Sequence, residues 1–291
     1  MALAFTRMHG AGNDFVVLDD RAGRLKPHAS ALARALCDRR KGLGGDGLIL
    51  IGAPPAGGSA DFAMTYVNAG GDEGEMCGNG ARCVARRAME LGIAGPNCSF
   101  LTRAGLIRAE VSEAQVRITL SPPGRPEPPV VLDVAGERLE VHAIDTGVPH
   151  AVVFVADPDK VDVARLGPAL RHHSHFKRGC NANFAAVTQG RLRLRTFERG
   201  VEAETLACGT GAAAAALIAC HLGKMTPPVS IEARGGELVV DFRKIDGRYA
   251  DVTLAGPTET IATGEIDTDW LTARGLGEHL GQVATLERRL P

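Results

Sequence analysis

The chain has 291 residues, with 33 Lys and Arg against 34 Asp and Glu, a net charge of −1. At roughly 100–200 residues per domain, this length suits two compact domains or one large one, and it buries a core without metal or disulfide staples. The even charge argues against a nucleic acid or an anionic membrane as partner, since both need a clustered basic excess.

No apolar run approaches the roughly 20 residues that cross a bilayer, and residues 1–10 lack the long apolar stretch of a signal peptide. The expected setting is cytoplasmic, where thiols stay reduced.

In chain order, Phe15–Leu18 and Leu48–Ile51 read as buried strands, with a helix over His28–Arg39 between them. Phe62–Val67 reads as a strand and Ala81–Leu91 as a helix stopped by Gly92. Two short strands are expected over Leu101–Thr119, turning near Ser112-Glu113. The segment Ser121–Pro129 is rich in proline, which stiffens a chain and removes backbone donors, and it reads as the linker. Beyond it come strands at Leu139–Ile144 and Ala151–Val155, a helix at Val161–His172, and strands at Phe184–Val187 and Leu192–Phe197. An alanine-rich helix spans Gly211–Leu222, and strands follow at Ser230–Ala233, Leu238–Phe242 and Ala250–Leu254. The expected divisions are 1–125, 126–266 and an appended tail, 267–291, helical or frayed. The mixture is α/β (α+β).

Seven cysteines, an odd number with no Cys-x-x-Cys pair, argue against a disulfide framework or a structural zinc site. The cluster His172-His173-Ser174-His175 reads as a solvated loop and no metal is expected. Free cysteines are usually small buried hydrophobes, and Cys37, Cys98, Cys180 and Cys220 fit that description.

Cys77 and Cys208 differ, because they lie inside an internal repeat. The two stand 131 residues apart, and Thr65 and Thr196, Tyr66 and Phe197, and Glu73 and Glu204 keep the same offset. Each Cys opens Cys-Gly-x-Gly-Ala, and each following helix ends near Leu-Gly, at Leu91-Gly92 and Leu222-Gly223. The repeat implies two related α/β units, each a helix surrounded by strands, meeting where both cysteines sit.

A cysteine at a helix start faces unpaired backbone donors and the positive end of the dipole, which favour thiolate. The same N–H groups can cradle a carboxylate. Two such thiols at one cavity would run a two-base reaction, in which one thiolate removes a proton from carbon and the other thiol returns one to the opposite face. Charge developing at the carboxylate would be stabilised by the helix starts, and the scheme requires no redox or imine cofactor. Either cysteine alone reads as a buried helix-start packer; the matched pair reads as chemistry.

Rival motifs fit less well. Gly42-Leu43-Gly44-Gly45-Asp46-Gly47 has the G-x-G-x-x-G form but precedes its strand, the wrong context for a dinucleotide. Gly209–Ala214 opens a helix, but an acidic loop, Glu198–Ala207, separates it from the preceding strand where a tight turn is needed. A Cys-His hydrolase using His9, His142, His150 or His221 would explain one cysteine and leave the other without a role.

Four stretches together resemble the diaminopimelate epimerases. They are Met8-His9-Gly10-Ala11-Gly12-Asn13-Asp14-Phe15, Cys77-Gly78-Asn79-Gly80-Ala81-Arg82-Cys83, Thr146-Gly147-Val148-Pro149-His150, and Glu198-Arg199 through Ala207-Cys208-Gly209-Thr210-Gly211. Proline racemases share the two-thiol plan but differ at the first stretch. The resemblance spans residues 3–266 and implies two pseudo-symmetric domains, each a strand-wrapped central helix.

The resemblance also implies interconversion of LL- and meso-diaminopimelate without pyridoxal phosphate, for lysine and cell-wall precursor synthesis, by a homodimer. Carried over by motif, Cys77 and Cys208 are the acid/base pair. Gly78, Asn79, Gly209 and Thr210 would hold the reacting carboxylate, and Asn13, Asn68, Asn181 and Arg199 the remote end. Glu198 and His150 would orient the reacting amino group. A guanidinium fork at Arg199 independently suits a distal carboxylate, whereas turn chemistry alone would account for Asn13 and Asn181. Val148 stands where many members have Asn, and Gly47 where some have Gln. The alternatives are a non-catalytic amino-acid-binding protein on the same scaffold and a proline or hydroxyproline racemase-type enzyme.

Overall fold

The computed structural model describes residues 2–277. Its strands are β1 (Ala2–Gly10), β2 (Asn13–Asp20), β3 (Gly47–Gly52), β4 (Phe62–Asn68), β5 (Asn97–Thr102), β6 (Gly105–Val111), β7 (Val116–Thr119), β8 (Val130–Val134) and β9 (Glu137–Asp145). The remainder are β10 (Pro149–Phe154), β11 (Asn181–Thr188), β12 (Arg191–Glu198), β13 (Ala203–Thr205), β14 (Val229–Ala233), β15 (Gly236–Ile245), β16 (Arg248–Gly256) and β17 (Glu259–Asp267). The helices are α1 (Ala29–Leu36), α2 (Gly78–Glu90), α3 (Val163–Arg171), α4 (Gly209–His221) and the short α5 (Thr268–Thr272).

The described residues form two compact units, residues 2–116 with 258–277, and residues 117–257. The divisions fall before the proline-rich segment and before β17. Gly124 and Glu127 donate backbone hydrogen bonds to Asp145 O and Ala143 O, which lays that segment along β9. β17 pairs antiparallel with β1, so residues 259–266 belong with the first unit. Of the expected tail, residues 268–272 are helical and 278–291 lie outside the described residues.

Within the first unit β1 and β2 pair antiparallel, β2 and β3 parallel, β3 and β4 antiparallel, β4 and β5 parallel, and β5 and β6 antiparallel. Within the second unit β9, β10, β11, β12, β14 and β15 follow the same alternation. Each parallel step needs a crossover, and a helix supplies it each time: α1 and α2 in one unit, α3 and α4 in the other.

The period of two along a strand sends neighbouring side chains to opposite faces. Val16, Leu18, Leu48 and Leu50 therefore pack with Leu32, Ala33 and Leu36 of α1. Ile49 and Phe15 lie on the other face, where a Cβ at Gly80 of α2 would stand 2.9 Å and 3.5 Å from their side chains. The second unit repeats this. Ala151, Val153, Ala182 and Phe184 pack with Val163, Leu166 and Leu170 of α3, and Asn183 faces α4.

Helix α4 contacts seven strands, β9, β10, β11, β12, β14, β15 and β16, and its residues Gly211–Ala219 are all buried. A helix apolar on every side is one surrounded by protein, and small alanines let the strands come close.

The strands Ala2–Gly10 and Val130–Val134 carry weak sequence signals. Charged and polar residues at Thr6, Arg7 and His9 interrupt the first, and the second follows the prolines. Residues 97–119 form three strands, β5 to β7, where two were expected.

Filling the α4 surface tests this packing. Ala215 has no exposed surface, and Ala215→Leu should destabilise the fold by about 1–3 kcal/mol, the usual cost of overpacking a filled core. The urea unfolding midpoint, set against that of a leucine placed at exposed Lys224, measures it.

Candidate active site

The two repeated cysteines occupy the same local structure. Each is the N-cap of a 13-residue helix in extended conformation, with φ −130° and ψ 117° at Cys77 and φ −112° and ψ 113° at Cys208. Each sulfur accepts a backbone N–H three residues on, from Gly80 at 3.5 Å and from Gly211 at 3.3 Å. The third helical residue is glycine for want of room: a Cβ at Gly211 would lie 2.5 Å from Asn183 Oδ1. Both helix starts direct their first N–H groups and positive dipole ends towards the sulfur's surroundings.

Around Cys77 the partners come from the first unit. The β1–β2 turn delivers Asn13, whose Oδ1 accepts from the Cys77 thiol at 3.6 Å and from Asn79 Nδ2 at 3.3 Å. Asn13 Nδ2 donates to Asp46 Oδ2 at 2.5 Å, which fixes the way the amide points. Asp46 is held by Arg39, which also bonds Asp14. Arg7 and Arg39 hold the Asp14 carboxyl below its ordinary value against the opposing effect of burial. Asn68 is on the exposed end of β4, where its Oδ1 accepts from Tyr66 and its Nδ2 donates to Asp72 O. Gly78 O accepts from Arg82 Nη1 at 3.4 Å.

Around Cys208 the partners come from the second unit. Thr210 Oγ1 lies 3.5 Å from the sulfur, and Thr210 O accepts from Thr146 at 3.3 Å. Gly209 is buried at the first position of α4. Burial first, and then the Glu198 carboxylate, push the Cys208 thiol well above its ordinary value. The expected lowering of the thiol pKa at this helix start is therefore overturned, because loss of water outweighs the Gly211 N–H. Glu198 in turn accepts from Thr205 Oγ1.

His150 and Asn181 are neighbours on the parallel strands β10 and β11. His150 is fully buried and its pKa is pulled down to about 3, by burial and then by Arg199, so the ring is neutral. Asn183 Nδ2 donates to Ala151 O at 2.9 Å and faces His150 Nδ1 at 3.1 Å, while its Oδ1 accepts from Thr196. Asn181 Oδ1 accepts the Arg199 backbone N–H at 2.7 Å. The Arg199 guanidinium donates to Arg178 O at 3.4 Å, and no carboxylate pairs with it among the described residues.

The structure thus gathers Cys77, Gly78, Asn79 and Asn13 in one unit, and Cys208, Gly209 and Thr210, with His150, Asn181 and Arg199 linked to one another, in the second. Asn68 is engaged in its own turn. Sequence reasoning passed over Asn183, Asp46 and Arg82. Asn183 shares a strand face with Asn181, a period-two signal that was available. Asp46 and Arg82 act through space and leave no such signal. Cys37 and Cys180 are buried thiols pushed up to about 12, and Cys98 and Cys220 to about 11, in each case by burial. Among the described residues, no group of three or more His, Cys, Asp or Glu could hold a metal ion.

Solved structures with this fold include a phenazine biosynthesis PhzF-family protein from Bacillus anthracis, with TM-score 0.74 and 15% identity over 92% of this chain and 99% of that one. A hydroxyproline epimerase from Agrobacterium vitis gives TM-score 0.66 and 17% identity over 96% and 98%. At such identities the likeness is one of fold. Sequence relatives are closer. A diaminopimelate epimerase of Aquifex aeolicus is 41% identical over 92% of this chain and 99% of its own. Those of Chlorobaculum tepidum and Methanothrix thermoacetophila are 41% and 39% identical over 89% and 92% of this chain. The family profile for diaminopimelate epimerase matches residues 5–124 and 142–259, the stretches that hold both cysteine-capped helices. The chain belongs to the diaminopimelate epimerase family.

Proposed function

We propose that this chain is an isomerase that interconverts LL- and meso-diaminopimelate by moving protons between Cys77, the α-carbon and Cys208, in a cytoplasmic homodimer. The observation that carries the reading is the doubled helix start, with the same sulfur, cap and glycine in both units. In the reaction one thiolate takes the α-proton, and its electron pair passes into the carboxylate as an enolate. The other thiol gives its proton to the opposite face of the carbon. The thiol and the thiolate have then exchanged places, and the substrate has lost and gained one proton. The family match supports the reaction class.

The N–H groups at Gly78, Asn79, Gly209 and Thr210 take the reacting carboxylate as its charge grows. His150, neutral and fixed between Asn181 and Asn183, orients the amino group with Glu198. The latter also keeps Cys208 protonated, which suits it to deliver a proton. Asn13, Asn68, Asn181 and the carboxylate-free guanidinium of Arg199 hold the remote end of the substrate.

The deciding experiment is deuterium wash-in from solvent at the α-carbon of diaminopimelate, followed by NMR. Exchange with inversion is expected; tight binding without exchange would identify an amino-acid-binding protein instead. Cys77→Ala and Cys208→Ala should each lower turnover by at least 100-fold, as expected for a lost general acid or base. Turnover within tenfold of wild type in either variant rules out the two-base route. Cys37→Ala should leave turnover unchanged.

Arg199→Lys keeps the charge and loses the fork. It should weaken diaminopimelate binding by about 2–5 kcal/mol, seen in KM and by calorimetry, and lysine should be a very poor substrate for the wild type. Unaltered binding by the variant removes the assignment.

Air oxidation should inactivate the enzyme by joining Cys77 to Cys208, with oxygen taking the two electrons, and thiol reductant should restore it. The bond requires Cα atoms within roughly 7 Å, so peptide mapping of the oxidised protein reads the thiols' proximity. Substrate should protect, and a map showing only other pairings counts against a shared site.

A further inference from the structure

Arg82 is fully buried, with no exposed surface. A buried guanidinium ordinarily sits against a carboxylate, because an unpaired charge in the interior is costly. Arg195 obeys that rule, with two bonds of 2.7 Å to Glu204. Arg82 does not. Its Nη2 donates to Asn79 Oδ1 at 3.0 Å and its Nη1 to Gly78 O at 3.4 Å, and its Nε has no hydrogen-bond partner. Every acceptor it has is neutral.

The side chain doubles back along α2 towards the helix start, as long helical side chains do. Its guanidinium lies beside the residue that follows Cys77, and one amide, Asn79, separates it from the Asn13 oxygen on which the Cys77 thiol rests. β1 has glycine where it passes: a Cβ at Gly10 would stand 3.3 Å from Arg82 Nη2 and 3.4 Å from Cys83 Sγ.

Burial acts most strongly on this guanidinium and lowers its pKa, and two titratable groups oppose that, Cys83 and then Cys77. Cys83 is wholly buried and burial pushes it up to about 12, so it stays a thiol. Cys77 is half-buried and already accepts the Gly80 N–H. Other charged groups on the elements packed against α2 are engaged elsewhere or exposed. Arg7 and Asp14 pair with each other, His9 lies 3.5 Å from Glu259, and Tyr66 donates to Asn68. Arg108 and Glu110 on β6, and Asp72, Glu73 and Glu75 before the helix, are exposed, and β3 has no charged residue. On α2 itself Arg86 bonds Ser112 O and Arg87 pairs with Glu90.

We propose that Arg82 is a positioning residue for proton transfer: its buried charge is balanced by Cys77 as a thiolate, so in the substrate-free protein Cys77 is poised as base and Cys208 as acid, and the reverse reaction starts from the exchanged pair. The repeat sharpens this. The counterpart of Arg82 in the second unit is Ala213, and the counterpart of Glu198 beside Cys208 is Val67. One thiol has a cation behind its helix start and no acid at that offset; the other has the acid and no cation. The inference rests on the two-thiol reading, but the alkylation arm of its test needs no diaminopimelate.

Iodoacetamide alkylation of each cysteine is followed against pH by peptide mass spectrometry, in wild type, Arg82→Met, Arg82→Lys and Cys83→Ala. In wild type, Cys77 should titrate below the ordinary thiol value near ~8.5 and well below Cys208. Arg82→Met should slow Cys77 alkylation at pH 7 by about 10- to 100-fold, equivalent to a rise of one to two pKa units. Its kcat should fall with KM within about threefold, and Arg82→Lys should restore most of both. Cys83→Ala should leave the Cys77 profile unchanged.

A wild-type Cys77 that titrates at or above the ordinary value overturns the proposal, whether or not Arg82→Met folds. An Arg82→Met profile that superimposes on wild type overturns it too, as does a Cys83→Ala variant that moves the Cys77 profile tenfold. Deuterium wash-in fails separately if the epimerase reading is wrong.

Discussion

A helix that begins inside a protein needs acceptors for its first backbone N–H groups, and much in this fold follows from that demand. Strands surround α4, so its sides present alanine and its chemistry is confined to its ends. At the start of α4, and again at the start of α2, the acceptor is a cysteine sulfur. The remaining N–H groups of the first turn stay directed at whatever lies beyond the cap. A carboxylate is what such a place binds best, because several oriented donors and the dipole act together and need no reorganisation.

Two copies of one device need not behave alike, and their surroundings pull them apart. Cys208 has lost its water and has a carboxylate for a neighbour, both of which favour the protonated thiol. Cys77 is less buried, and a guanidinium without a carboxylate lies behind it. A reaction that begins with one thiolate and one thiol needs such an inequality. Duplication alone would give two equal groups, so under the proposed reaction the differences at Arg82 against Ala213, and Glu198 against Val67, would set the division of labour.

Much of this was legible in the sequence. The constant offset of 131 residues between the cysteines, with glycines at equal spacing after each, pointed to repeated helix starts, and the strand pairing repeats with them. The central strands announced themselves as apolar runs at Leu48–Ile51 and Phe184–Ala186, because both of their faces are covered there. β1 did not, since its polar residues mask the alternation. Nor did the return of β17 to the first unit, because pairing between residues 2–9 and 259–267 is a contact that no local pattern encodes. The raised thiol pKa at Cys208 escapes the sequence for a related reason. A sequence shows the helix start and its favourable dipole, but desolvation and the approach of Glu198 are properties of the packed state.

The choice of sulfur at these caps runs against local stability. Serine, threonine, asparagine and aspartate cap helices well, through short bonds from oxygen to the N2 or N3 N–H, whereas here the N–H to sulfur distances are 3.5 Å and 3.3 Å. A hydroxyl would satisfy the backbone better but is far too weak an acid to hold an exchangeable proton balance near neutral pH. A carboxylate would cap well but is too weak a base, and beside a substrate carboxylate it would add repulsion. A thiol is the side chain that tolerates burial as a neutral group, ionises within reach of neutrality and still accepts an N–H. Local preference and chemical need disagree at these two positions, in the same way and in the same geometry. That coincidence is what the proposed proton transfer accounts for and packing alone does not.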